Sequence, residues 1–385
     1  MKTKLIISGC MAVLVLALFT SCEDSLFDRK GDTLGILPER FKIDIPASLS
    51  SDNTKSAELK SSSMDTVNGN FIYWHLNTFI AVGEGAADIV EAAIWYIGTF
   101  NIENVISLSY TSEDDDRVKN LEVVANAEYS GRTWQYALTV TDAESENNDD
   151  GGKGMQIFWN NDPIEGIAIF KPYNLNRSEY DNSPDAICSI EYSEQGTTNY
   201  EAYMIVEIAG LHISETYPLA LETLKMFVGK NGDNIDVYGN SDHPNARFNT
   251  FDNTKGYNWA FVASGNDTKN IAVAEVGLPY SDSDISGRTE ILEDNSIKTV
   301  LTREMTNYVV AYFASLGITL QPEEISQFLL PYLKNAEAPG YFNQNGFVKG
   351  GTAPSDDYND LVGRIGTLVP YNPSEISNLT IEFGN

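Results

Sequence analysis

Residues 282 to 293 read Asp-Ser-Asp-Ile-Ser-Gly-Arg-Thr-Glu-Ile-Leu-Glu, a spacing of oxygen donors that could surround a hard cation. Asp282, Asp284 and Ser286 offer oxygens at positions one, three and five, Glu290 at nine, and Glu293 a two-oxygen carboxylate at twelve. Gly287 at six permits the sharp turn, and Arg288 at seven would contribute its backbone carbonyl. The chain has three histidines, His75, His212 and His243, none at the HxH or HExxH spacing of a zinc site. Ser241, Asp242 and His243 are consecutive, but a nucleophilic relay needs its groups in line across space. A strand ending in an Asx turn is therefore expected over 238–245. Asp114-Asp115-Asp116 and Asp149-Asp150-Gly151-Gly152 read as exposed turns. Among 55 acidic residues no glycosidase pair can be singled out.

The 282–293 segment resembles an EF-hand loop, and the resemblance implies calcium held by the residues named. It departs from that pattern in two places. Thr289 stands where an aliphatic residue usually pins the loop, and Ile271 to Leu278 reads as a strand where a helix should enter. A polar turn is the competing reading.

To position such residues the chain must supply regular elements, and its periodicity divides it in three. Ile80, Ala87, Val90, Ala93, Ile94 and Ile97 recur at helical spacing, which predicts a helix over 80–97 with Glu84, Asp88, Glu91 and Trp95 along its other edge. From about 103 to 278 the period is two. Leu121 to Tyr129 and Trp134 to Val140 flank Ser130-Gly131 as a hairpin, and further strands are predicted at 155–159, 164–170, 187–192, 202–208, 224–228, 235–238, 259–263 and 271–276. Beyond Ser296 helix returns. Gly317 caps one helix, Pro322-Glu323-Glu324 opens a second that Pro331 ends, a hairpin forms around Asn345-Gly346, and 379–383 is a last strand. The expected fold is α+β: a long curved antiparallel β-meander, one amphipathic helix before it and two after it. Residues 67–385 are read as a single domain.

Composition limits the functions. The hydrophobic share is 42% and the net charge −30, so the chain is globular and repels nucleic acid and anionic headgroups. Cys10, Cys22 and Cys188 are the cysteines. Cys188 lies in an apolar stretch and reads as a core residue, left without a disulfide partner if Cys10 and Cys22 belong to the leader and lipid site that the first residues imply.

The first residues carry an address. Lys2 and Lys4 precede an apolar run from Leu5 to Phe19, as in a secretory leader of residues 1–21, and Leu18-Phe19-Thr20-Ser21-Cys22 resembles the lipobox of bacterial lipoproteins in its loose Bacteroidetes form. Glu23-Asp24-Ser25 resembles the acidic signal that sends such lipoproteins to the outer face of the outer membrane. The resemblance implies acylation of Cys22 and a membrane-tethered mature protein, with 22–66 as a leash holding one strand near Phe41 to Pro46. Asp32-Thr33-Leu34 and Asp65-Thr66-Val67 resemble O-glycosylation acceptors. Three functions stay open. The first is non-catalytic binding of an extracellular ligand such as a glycan, through aromatics such as Trp74, Trp95 and Trp159 or with an outer-membrane partner protein. The second is a lipid or lipoprotein carrier with an apolar pocket under the sheet, and the third a calcium-stabilised hydrolase.

Overall fold

The computed structural model describes residues 67–76, 106–212, 220–248 and 256–384. The leader, Cys22, the leash, both O-glycosylation triplets and the helix expected at 80–97 lie outside them. The described chain forms two compact units, residues 106–212 with 380–384, and residues 67–76 with 220–248 and 256–379.

The first unit is a meander of β1 (Ile106–Thr111), β2 (Val118–Tyr129), β3 (Arg132–Asp142), β4 (Lys153–Asn161), β5 (Ile164–Phe170), β6 (Ile187–Ser193) and β7 (Ala202–Ala209). Each strand pairs antiparallel with the next in sequence. The expected alternation is realised in β2, where Leu121 and Val123 are buried and Glu122 exposed. The β2–β3 turn places Ser130 at φ 51° and Gly131 at φ 72°, the two positive angles that match a two-residue turn to strand twist. Trp134, Ala137, Phe158, Ile167 and Ile169 form a core.

Residues 379–383 are not the strand their alternation predicts. Ile381 and Phe383 pack against the Trp134–Phe158 core by their side chains. The backbone there is held by side chains: the Tyr129 hydroxyl donates to the Glu382 carbonyl at 3.0 Å, the Gly384 amide donates to Gln156 Oε1 at 2.6 Å, and Lys153 donates to the Gly384 carbonyl. A period of two therefore also serves a strap laid across a sheet face, because one side of it meets apolar surface while the other meets water.

In the second unit β8 (Thr223–Asn231), β9 (Asn234–His243), β10 (Tyr257–Asn266) and β11 (Ile271–Gly277) again pair in chain order. The expectation of two helices after the meander needs correction, because they interrupt it. After β11 come a π turn at Thr289–Glu293 and the helical pair, and then β12 (Gly340–Asn343) returns to pair with β11 and β13 (Gly346–Gly350) with β12. Short helices at Asn359–Ile365 and Pro373–Ser377, not foreseen in the sequence, follow; Leu361 and Ile365 of the first share a core with Ala260, Val262 and Val273.

Three helices matter below: α1 (residues 69–76), α3 (Ile297–Ser315) and α4 (Pro322–Leu329), with the single turn Pro172–Leu175 as α2. Asn68 caps α1 by accepting from the Phe71 amide at 3.3 Å. Ile72, Tyr73 and Leu76 are its buried side. Gly317 at φ 74° closes α3, with its own amide on the Ala314 carbonyl and the Ile318 amide on Phe313, as expected of a C-terminal glycine. A reciprocal Gln321–Glu324 cap and Pro322 open α4.

Tyr73 of α1 stacks on Phe347 with ring centroids 4.9 Å apart, and a Cβ at Gly340 would lie 2.5 Å from the Tyr73 ring. Gly340→Ala is thus expected to overpack this contact and lower stability by about 1–3 kcal/mol, read as a fall in denaturation midpoint at unchanged slope.

Candidate functional site

The half-exposed polar surface of the first unit gathers on β3 to β7. Asn160 stands opposite Glu165, Glu165 opposite Ser193, and Ser193 opposite Tyr203. Directly paired residues point to one face of a sheet, so these four make a row across four strands, about 14 Å long at the usual strand spacing. Arg132, at the start of β3, reaches into it. Its guanidinium donates to Glu165 at 2.9 Å and Glu191 at 2.9 Å, and lies 4.2 Å over the Trp134 ring. A planar fork between two carboxylates, stacked on an aromatic face, is the geometry that suits arginine and not lysine.

The other members lock the row. Asn160 donates to Glu165 at 2.6 Å and accepts from the Gln135 amide, while Gln135 accepts from the Asn161 amide at 2.9 Å. The Tyr203 hydroxyl donates to Glu191 at 3.4 Å, and burial first, then the Glu191 charge, raises its pKa. The Arg132, Glu165 and Glu191 side chains remain 38%, 14% and 29% exposed. The result is a rigid series of donors and acceptors, half-exposed at Arg132, Asn160, Glu165, Glu191 and Tyr203 and closed at Ser193, which is buried. None of these residues was singled out in the sequence, except that a hairpin was expected to start near Trp134. The row sits at the end of the face that carries Phe158, Ile167 and Ile169, so single polar residues such as Glu165 in apolar strands gave no periodic signal.

In the second unit the structure joins residues that the sequence kept apart. Ser241 and His243, two apart on β9, share a face, and Ser241 Oγ lies 2.7 Å from His243 Nε2. Asp242 points the other way, so the three consecutive side chains form no relay. The strand also runs through to His243 before turning, where an earlier Asx turn was expected. His243 and His75 pack on the same indole, with centroids 5.2 and 5.3 Å from Trp259. Burial, reinforced by His243, pushes the His75 imidazole down to about 3, so it is neutral near pH 7. Ser241 is fully buried and His243 6% exposed. Such a pair satisfies its hydrogen bond in the core, because a nucleophile must meet its substrate.

On the opposite face of β9, Asp242 is 2% exposed and faces Asn258 and Ser281. Asp242 Oδ1, Asn258 Nδ2 and Ser281 Oγ reach no hydrogen-bond partner. Burial, with the charges of Glu222 and Asp282 adding to it, raises the Asp242 carboxyl to about 6 despite the opposing influence of Ser281 and Asn258.

The acids expected in exposed turns prove to be bonded inside the first unit. Asp142 is buried and accepts from Arg117 at 2.9 Å, Arg177 at 3.0 Å and Ser145 at 3.0 Å. Lys119, 1% exposed, bonds Asp115 at 3.0 Å and the Asn174 carbonyl at 3.0 Å. Asp115 is therefore inside the cluster, contrary to the reading of Asp114-Asp115-Asp116 as a solvated turn. Asp150 likewise pairs with Lys171 at 2.6 Å. Burial opposes ionisation of Asp115 and Asp142, but their hydrogen bonds and cations prevail and hold both below the ordinary carboxylate range.

The six residues of the calcium-like loop are not drawn around a common centre. Gly287 takes the left-handed turn expected of it, at φ 80°. Glu290 turns back to accept from the Ser286 amide at 2.9 Å. The Arg288 guanidinium binds Glu275 and the carbonyls of Ile365 and Leu368, and Glu293 lies 4.0 Å from it. Asp282 and Asp284 are exposed. Among the described residues no three Asp, Glu, His or Cys side chains converge as a metal-binding group. Cys188 is a free thiol whose pKa burial pushes up to about 12, which suits a packed residue and not a nucleophile.

Comparison with protein-family models, with curated proteins and with solved structures gives no match.

Proposed function

We propose that this protein is a lipid-anchored surface protein of the outer membrane that binds a polyhydroxylated extracellular ligand, of the glycan class, on the polar row of its first unit. The observation that carries the reading is Arg132 held between Glu165 and Glu191 over Trp134, with Asn160, Gln135 and Tyr203 fixed beside it. Vicinal hydroxyls both donate and accept, so they are matched by carboxylates and a guanidinium fixed side by side, and a rigid site loses little entropy on binding. The anchor is Cys22 in its lipobox-like context, where several acyl chains would hold the protein stably. The strongly acidic chain suits an extracellular surface and disfavours nucleic acid.

Glycans screened by tryptophan fluorescence provide the test, because a ligand engaging Arg132 perturbs the indole beneath it. Glu191→Gln and Arg132→Ala are each expected to weaken binding of a responsive glycan at least tenfold, which is about 1.4 kcal/mol, with the fold intact by circular dichroism. Unchanged affinity in both variants would remove the row from ligand binding. Mass spectrometry should find acyl chains on Cys22, and a bare cysteine there would remove the anchor.

A further inference from the structure

We propose that the tip of the α3–α4 hairpin is a membrane-docking element that enters the boundary between headgroups and acyl chains of a neutral bilayer. Ten large hydrophobic side chains are exposed among the described residues, and six of them lie on this hairpin: Val310, Tyr312, Leu316, Ile318, Phe328 and Leu330. That concentration exceeds the scattered single exposures of an ordinary surface. The hairpin is built, not frayed: Gly317 caps α3, the Gln321–Glu324 box starts α4, and Phe313 meets Phe328 across the pair at 5.0 Å.

Two observations choose the occupant. First, every residue from Val310 to Leu320 is exposed or half-exposed, and none carries a charge. At 100° per residue, Val310, Ala311, Tyr312, Phe313, Ala314 and Leu316 cover the whole circumference of the helix and not one stripe. A protein groove takes a stripe, whereas here α4 covers only the Phe313 side through Phe328 and apolar side chains remain on the other sides, which suits an apolar medium. Second, no Lys or Arg lies between Arg303 and Lys334, in a chain of net charge −30. Lacking cations, the tip has no attraction for anionic headgroups, and a second copy would bring the same negative charge against it. Glu323 and Glu324, in the first turn of α4, are exposed acids at the rim of this apolar surface and must stay at headgroup level, so the hairpin seats on its side and not end-on. None of the described helices is long and apolar enough to span a bilayer, so a shallow seating of about 5–10 Å is the depth that fits.

The element is independent of the ligand row and is tested separately. Full-chain protein carrying Ile318→Trp is mixed with phosphatidylcholine vesicles containing lipids brominated near the headgroup end of their acyl chains. The introduced indole is expected to shift to the blue and to be quenched at least twofold more than the native tryptophans, and Leu316→Glu added to the same chain should abolish that quenching. Protein that sediments with vesicles while the introduced indole stays water-like and unquenched would overturn the proposal and leave the Cys22 anchor standing. Quenching without an anchor, in protein carrying Cys22→Ser, would support the tip alone. A blue shift without vesicles, with doubled mass by light scattering, would overturn it in favour of self-association. Stronger quenching on anionic than on neutral vesicles would overturn the charge argument.

Discussion

Asp142→Ala is expected to destabilise the first unit by about 3–5 kcal/mol, measured as a lower midpoint in urea unfolding, because it removes the shared acceptor of Arg117, Arg177 and Ser145. Lys119, nearly fully buried 3.9 Å from the same carboxylate, would keep only Asp115 as a counter-charge. Leaving buried cations uncompensated costs more than the pair contributes when intact, which explains the size of the effect. Glu144→Ala is the contrast. Glu144 bonds Arg117 at 3.0 Å but is 57% exposed, so its loss should change stability by less than about 1 kcal/mol. The pH dependence has a definite sign. Asp115 and Asp142 are held below their unfolded values, so their contribution is present above about pH 4 and is lost as pH falls through their lowered folded values. Equal effects of the two substitutions would show that the cluster is not the unit's electrostatic centre.

Asp242→Asn should act in the opposite sense and stabilise the second unit at pH 8. Asp242 titrates near 6 when folded against about 4 when unfolded, so folding favours its protonated form. Stability from this group is complete below about pH 4, declines as pH rises to about 6, and is absent above. The shift corresponds to on the order of 3 kcal/mol, and asparagine, which has no charge to bury, should remove the step. Unfolding free energies at pH 4, 6 and 8 for both proteins decide the matter. A wild-type step that persists in the variant would assign it to another group. The Asn258 amide and Ser281 hydroxyl beside Asp242 favour the carboxylate, so it is burial that makes the neutral form the better fit here.

The strands were legible because alternation reports burial directly: β5 spans Ile164–Phe170 as expected, and Ser130-Gly131 forms its turn. Gly317 and Pro322 marked their helices for equally local reasons. What escaped was whatever depends on distant chain. The return of β12 to β11 after two helices leaves no local trace, and the alternation at 380–384 gives no hint whether it joins a ladder or crosses a face. The same holds for the charges. Three consecutive aspartates look solvated until Lys119 and Arg177 are seen to close on the middle one. Ser241 and His243 were readable as one face once the strand was extended to residue 243, and the early turn hid it. The polar row had no signal of its own, since Glu165 and Glu191 lie in separate strands and become diagonal neighbours only when β5 pairs with β6.

The strap at 380–384 has a consequence for how the first unit is completed. Its seven strands each pair with the strand made just before, so each step closes a short loop and assembly can keep pace with synthesis. Phe158 and Tyr129, stacked 4.4 Å apart, nevertheless meet Phe383 and its neighbours only after the whole second unit has been made. Until then a patch of aromatic surface on the first unit stays open to water. A chain cut before Thr380 would keep its sheet but carry that patch permanently, a handle for chaperones, proteases or other unfinished copies.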